Sequence, residues 1–105
     1  MIENLKTQMR KGMLEYCILL CLDKQEAYTG EILQQLKDAD LLVVEGTLYP
    51  LLSRMKNSGL LEYRWQESTE GPPRKYYKTT ADGSRLLLEL ENEWTTIRNA
   101  VDKIN

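Results

Sequence analysis

Six cations fall in the middle third of this 105-residue chain: Arg54, Lys56, Arg64, Arg74, Lys75 and Lys78. Residues 46–80 hold only Glu62, Glu67 and Glu70 against them, while both flanking segments carry more acids than bases. The net charge of −2 therefore hides a basic strip inside an acidic protein. Guanidinium and ammonium groups grip phosphate and the acceptor edge of guanine, so a strip of this kind points to nucleic acid. Acid–base or nucleophilic chemistry has less to work with. Histidine is absent, which removes the commonest general base and both the Ser–His and Cys–His pairings. There is no Walker loop, dinucleotide fingerprint or HExxH pattern. Cys17 and Cys21 lie four apart in an apolar helical pattern and read as small buried hydrophobes, a redox switch being the alternative. Neither an enzyme nor a metal or other cofactor is expected.

The elements that must carry these cations can be read from periodicity. The spacing predicts a buried helix over 5–22 and a second helix from Thr29, its proposed N-cap, with Ile32, Leu33, Leu36 and Ala39 as one apolar stripe. "LLVVEG" at 41–46 reads as a short β-prone piece ending at Gly46. Leu48, Leu51, Leu52 and Met55 then recur at i, i+3, i+4 and i+7, the inward face of a third helix. Pro50 is tolerated if that helix begins at Gly46 or Thr47, because first-turn amides have no intrahelical partner. Gly59 suits a left-handed cap. "LLEYRWQ" and "RKYYKTT" read as two strands, joined by "ESTEGPP" as the loop of a β-hairpin.

Three helices followed by a hairpin is the order of a winged helix-turn-helix, with the third helix as the DNA reader. The expected fold is mostly α (α+β): a winged domain at 1–80 and a long C-terminal dimerisation helix at 81–105. On the third helix Thr47, Tyr49, Pro50, Ser53, Arg54 and Lys56 are the candidate DNA contacts. Arg74 and Lys75 of the hairpin join them, because cations beside a Pro-Pro turn can hold a phosphate backbone. A merely solvated helix face and a charge-protected sheet edge are the competing readings.

In the last segment Thr80 is placed to cap a helix with Asp82 in its first turn. Leu87, Leu90, Trp94, Ile97, Val101 and Ile104 follow at alternating spacings of three and four, a seam suited to dimerisation. About 25 residues at ~1.5 Å each give a helix roughly 38 Å long. Packing of this seam onto the chain's own core is the competing reading. No apolar run is long enough to span a bilayer and no secretory leader is evident, so the expected setting is cytoplasmic, without a membrane partner.

"AYTGEILQQL", "EGTLYPLLSRMKNSGLL" and "EGPPRKYYKTTADGSRLL" together resemble the PadR-type transcriptional regulators over most of residues 28–88. The resemblance implies a winged-helix homodimer that represses transcription from an operator, with Thr47, Tyr49, Arg54, Arg74 and Lys75 near the DNA. It also implies a dimer built from the terminal helix with help from the first. With one helix after the wing, the chain is similar to the compact members. Some of those bind flat aromatic compounds in a dimer-centre pore lined by a tryptophan of the last helix, and Trp94 falls at a comparable place. Trp94 is thus a candidate contact for a small aromatic effector as well as a seam residue. A winged-helix interaction adaptor without DNA binding is the alternative from another class.

Overall fold

The computed structural model describes all residues, 1–105. Its elements run α1 (Ile2–Lys24), α2 (Thr29–Asp38), α3 (Glu45–Asn57), β1 (Leu61–Ser68), β2 (Gly71–Thr79) and α4 (Ala81–Ile104). A single cluster joins them. Ile18 and Leu22 of α1, Ile32 and Leu36 of α2, and Leu48, Leu52 and Met55 of α3 meet Leu61, Tyr77 and Leu87. The radius of gyration is 15.1 Å, against about 13 Å for a compact domain of this length. The excess comes from the far half of α4, which leaves the core after Leu90 and stays exposed to its end.

Several boundaries differ from those the sequence predicts. Helix α1 starts three residues earlier, at Ile2 rather than Leu5. Thr29 is not the N-cap of α2. Tyr28 takes that place, and the Glu31 carboxylate accepts the Tyr28 backbone N–H at 3.2 Å, while Thr29 is buried as the first helical residue. Residues 41–44 form no strand. The sheet has only β1 and β2, and residues 41–44 pair with neither strand. Instead, Asp40 adopts a left-handed conformation, φ +63°. The Asp40 and Leu41 amides donate to the Lys37 and Leu36 carbonyls, closing α2 as a Schellman turn usually closed by glycine.

Helix α3 begins at Glu45, one to two residues early, which moves Pro50 into its second turn. The bond that an amide at position 50 would make to the Gly46 carbonyl is absent for lack of a donor. Both residues are exposed, so that carbonyl is open to solvent rather than buried without a partner. At its other end the helix closes on Gly59, φ +81°, whose amide and that of Leu60 donate to Lys56 and Met55 at 3.0 Å. The glycine cap stands as expected.

The hairpin is longer than the sequence predicts, and its turn is only Thr69 and Glu70. Pro72 and Pro73 lie in β2 at a bulge, where the register slips between Gln66↔Arg74 and Ser68↔Gly71. Proline lacks the ladder donor, so a bulge at the strand tip accommodates two of them. Ala27 adds a bridge to the other edge of β2, exchanging backbone bonds with Tyr77 at 3.0 and 2.9 Å.

Thr80 caps α4 as expected, its Oγ1 accepting the Gly83 amide at 3.0 Å. That hydroxyl also donates to the Gly59 carbonyl at 2.6 Å, and the Thr80 amide to Leu60 at 3.1 Å. The end of α3 and the start of α4 are thus bonded to one another.

Candidate nucleic-acid interface

On α3 the burial of Leu48, Leu51, Leu52 and Met55 leaves one exposed arc. A helix advances about 100° per residue, so positions seven apart share an edge. Thr47 and Arg54 occupy one edge of the arc, Tyr49 and Lys56 the other, with Pro50 and Ser53 between. Of the eight sequence-predicted DNA contacts, six therefore spread across the two flanks of this α3 arc, and Arg74 and Lys75 lie on the hairpin.

On the first flank, Thr47, Pro50 and Arg54 border a cleft of about 480 Å³ whose far wall carries Arg10 and Lys11 of α1. Arg54 is not a free cation: its Nη2 donates to Glu15 Oε1 of α1 at 2.6 Å. The pair is only partly shielded, so its contribution to stability is small, about 0–1 kcal/mol.

The second flank faces the hairpin. A cleft of about 540 Å³ separates α3 from the wing, and Tyr28, Tyr49, Ser53, Trp65, Arg74 and Lys75 line it together with Glu45 and Glu70. Lys56 and Lys75, from different elements, converge on one ring: their Nζ atoms lie 5.7 and 4.7 Å from the Tyr63 centroid. Lys75 also lies 5.3 Å from the Trp65 indole. Arg74 stacks on Tyr28, which also lines the cleft, at 4.2 Å. Tyr28 packs edge-on against Tyr76 at 5.5 Å, and Arg64 covers Tyr76 at 5.1 Å. Arg64 Nε in turn donates to both Glu26 oxygens at 3.2 Å. This bonding holds the Glu26 carboxyl below its ordinary range and raises Arg64.

The sequence reading found the wing cations but missed the aromatic rings that position them, Tyr28, Tyr63, Trp65 and Tyr76. A signal was present. Leu61, Tyr63 and Trp65 are spaced by two and so share a strand face, the one that turns toward α3. Tyr77 lies opposite Tyr63 in register, buried, with its phenol pushed up by burial first and by Tyr63 and Tyr49 after it.

Along α4, Leu87 is buried and Leu90 half-buried against the core, whereas Trp94, Ile97, Val101 and Ile104 are exposed. Packing of the whole seam onto the chain's own core is therefore excluded. Ile2, Leu5 and Met9 at the start of α1 are exposed as well. Where the two helices do meet, the Tyr16 phenol is raised by burial and by Glu91 of α4. Cys17 and Cys21 are half-buried beside the core as free thiols, and burial pushes both pKa values up, away from the reactive thiolate.

Three helices, a hairpin beside the third of them and a small-residue turn between α3 and the hairpin define a winged helix-turn-helix protein with an appended long helix. No helix is long and apolar enough to cross a membrane. The family-level match agrees with this architecture: the chain belongs to the transcriptional regulator PadR-like family, whose model matches residues 18–89. That family consists of transcriptional regulators rather than enzymes. A PadR-like transcription factor from Bacteroides fragilis is 60% identical, with a TM-score of 0.84 over 97% of this chain and 99% of that one. A PadR family transcriptional regulator from Eggerthella lenta is 33% identical, with a TM-score of 0.87 over 98% and 90% of the two chains. PadR of Bacillus subtilis, solved in complex with operator DNA, shares the fold at 23% identity and a TM-score of 0.69, over 74% of this chain and 45% of that one.

Proposed function

We propose that this protein is a homodimeric repressor that binds a pseudo-palindromic operator through α3 and the wing. The observation that carries the reading is the cleft between α3 and the hairpin, where Tyr49 and Ser53 of the helix face Trp65, Arg74 and Lys75 of the wing, with Lys56 meeting Lys75 over the Tyr63 ring. An exposed helix arc flanked by cations suits major-groove entry, and the wing cations suit the adjacent backbone. The fold-sharing PadR of Bacillus subtilis was solved with operator DNA, which supports the same use of the fold here. Thr47, Pro50 and Arg54 would contact the duplex from the other edge of α3, with Arg54 held in place by Glu15 until a phosphate competes for it.

The dimer is the other half of the proposal. Trp94, Ile97, Val101 and Ile104 form an apolar stripe on α4 with no partner in the chain, and Ile2, Leu5 and Met9 offer a second. Continuing the seam of Leu87 and Leu90, these residues would join two protomers, placing two α3 helices one DNA turn apart, about 34–36 Å. In this reading 1–80 is the DNA-binding unit and 81–105 the dimerisation helix, although Leu87 also closes the core of the first. Trp94, 37% exposed, would meet its symmetry mate near the dimer axis, where a planar aromatic effector can stack between indoles. Such an effector would act by favouring one separation of the two wings.

A salt titration against a random-sequence duplex tests the DNA reading. Binding should weaken linearly in log–log coordinates, with each phosphate contact adding about 0.9 to the slope. No binding at low salt would sink the repressor reading and leave the interaction adaptor. Trp94→Ala tests the rest: loss of the dimer in sedimentation supports the seam, and an intact dimer that no longer quenches with planar dyes supports the effector site.

A further inference from the structure

We propose that Trp65 is itself a duplex contact, its indole packing on the deoxyribose–phosphate strand that crosses the cleft between α3 and the wing. The inference rests on the DNA-binding reading above and adds to it a residue and the stretch of DNA it meets.

Trp65 continues the strand face on which Leu61 is buried and Tyr63 half-buried, yet it is 61% exposed. Within the chain its aromatic neighbour is Tyr63, edge-on at 6.0 Å and 89°. Its charged neighbour is Lys75 at 5.3 Å, directly across the ladder. So large an apolar surface, left open beside cations, fits a partner that presents apolar and anionic surface together. A DNA strand does so in alternation, sugar then phosphate. A small free anion would not need the indole, and an apolar ligand would not need Lys56 and Lys75. Between a helix in the major groove and a wing on the adjacent backbone, the strand that lies in the cleft is met through sugar and phosphate rather than base edges. Trp65 should thus add affinity without sequence preference. Its indole N–H, on a side chain open to solvent, can donate to a phosphate oxygen while the ring covers the sugar.

The test uses the full chain with a duplex selected from a random pool and a random-sequence duplex at low salt. Trp65→Ala should weaken both complexes about tenfold, the equivalent of about 1.4 kcal/mol, and leave the salt slope unchanged. Lys75→Gln should instead lower the slope by about 0.9. Trp65→Phe, which keeps a ring but no N–H, should fall between. In protein labelled with 5-fluorotryptophan, the fluorine resonance lost in Trp65→Phe should shift on saturation with duplex. That measurement decides the matter even where Trp65→Ala fails to fold. An unshifted Trp65 resonance, or unaltered affinity in Trp65→Ala, overturns the inference while leaving DNA binding in place. Failure of the unaltered protein to bind either duplex overturns both.

Discussion

Gly83→Ala should destabilise the protein, although alanine is the better helix former. Gly83 is buried in the first turn of α4, and a Cβ built there meets the Leu60 carbonyl oxygen at 2.2 Å and its carbon at 3.2 Å. Ordinary contact needs about 1 Å more. The oxygen cannot retreat freely, because it accepts the Thr80 amide at 3.1 Å in the joint between α3 and α4. Either that joint opens or α4 lifts, and lifting α4 loosens Leu87 in the core. Alanine gains about 1 kcal/mol in intrinsic propensity. Against it stand overpacking at about 1–3 kcal/mol and one or two hydrogen bonds of about 1 kcal/mol each. The net expectation is a loss of about 1–4 kcal/mol, or about 4–30 °C in Tm, read by circular dichroism at one fixed protein concentration. Gly12→Ala is the control: it sits exposed within α1 with nothing near its missing Cβ, and should gain up to about 1 kcal/mol. A Gly83→Ala protein as stable as the unaltered one would refute the close approach of α4 to the turn after α3.

Three further outcomes are expected. Leu52→Ala, at a fully buried position of α3, should cost about 2–5 kcal/mol in denaturant titration, whereas Leu42→Ala, 73% exposed, should be near neutral. Equal effects would mean the inner face of α3 is misassigned. Asp40→Gly should stabilise by about 1 kcal/mol, because a side chain at φ +63° pays a cost that glycine avoids; a loss of stability would contradict the Schellman turn. Glu26 has its pKa lowered, first by the Arg64 hydrogen bond, so its contribution is present above the ordinary value of 4.5 and lost as pH falls through the lower folded value. Thermal melts of Glu26→Gln should therefore fall less steeply with acid over that range than those of the unaltered protein, and parallel curves would dismiss the pairing.

Much of the fold is legible in local spacing. The i, i+3, i+4, i+7 run through Leu48 and Met55, the glycine cap at Gly59 and the threonine cap at Thr80 rest on periodicity and sterics within a turn or two. The same rules placed the aromatic–cationic hairpin after α3. They could not place its turn, because Gly71, Pro72 and Pro73 suit a loop and a bulge equally, and only the register with β1 decides between them. Residues 41–44 differ for a related reason: β-propensity is realised only where a segment pairs with a strand, and these residues pair with none.

The candidate site divides along the same line. Charge and amphipathic spacing are properties of the chain, and they put a basic strip on a short helix and a hairpin. Tertiary structure alone decided how each cation is engaged. Arg54 meets a carboxylate 39 residues away, Lys56 and Lys75 share a tyrosine, and Arg74 stacks on the cap of α2. It decided equally that the seam of α4 stays covered only as far as Leu90. Which partner a side chain finds depends on how remote elements pack, and no spacing within one element encodes that.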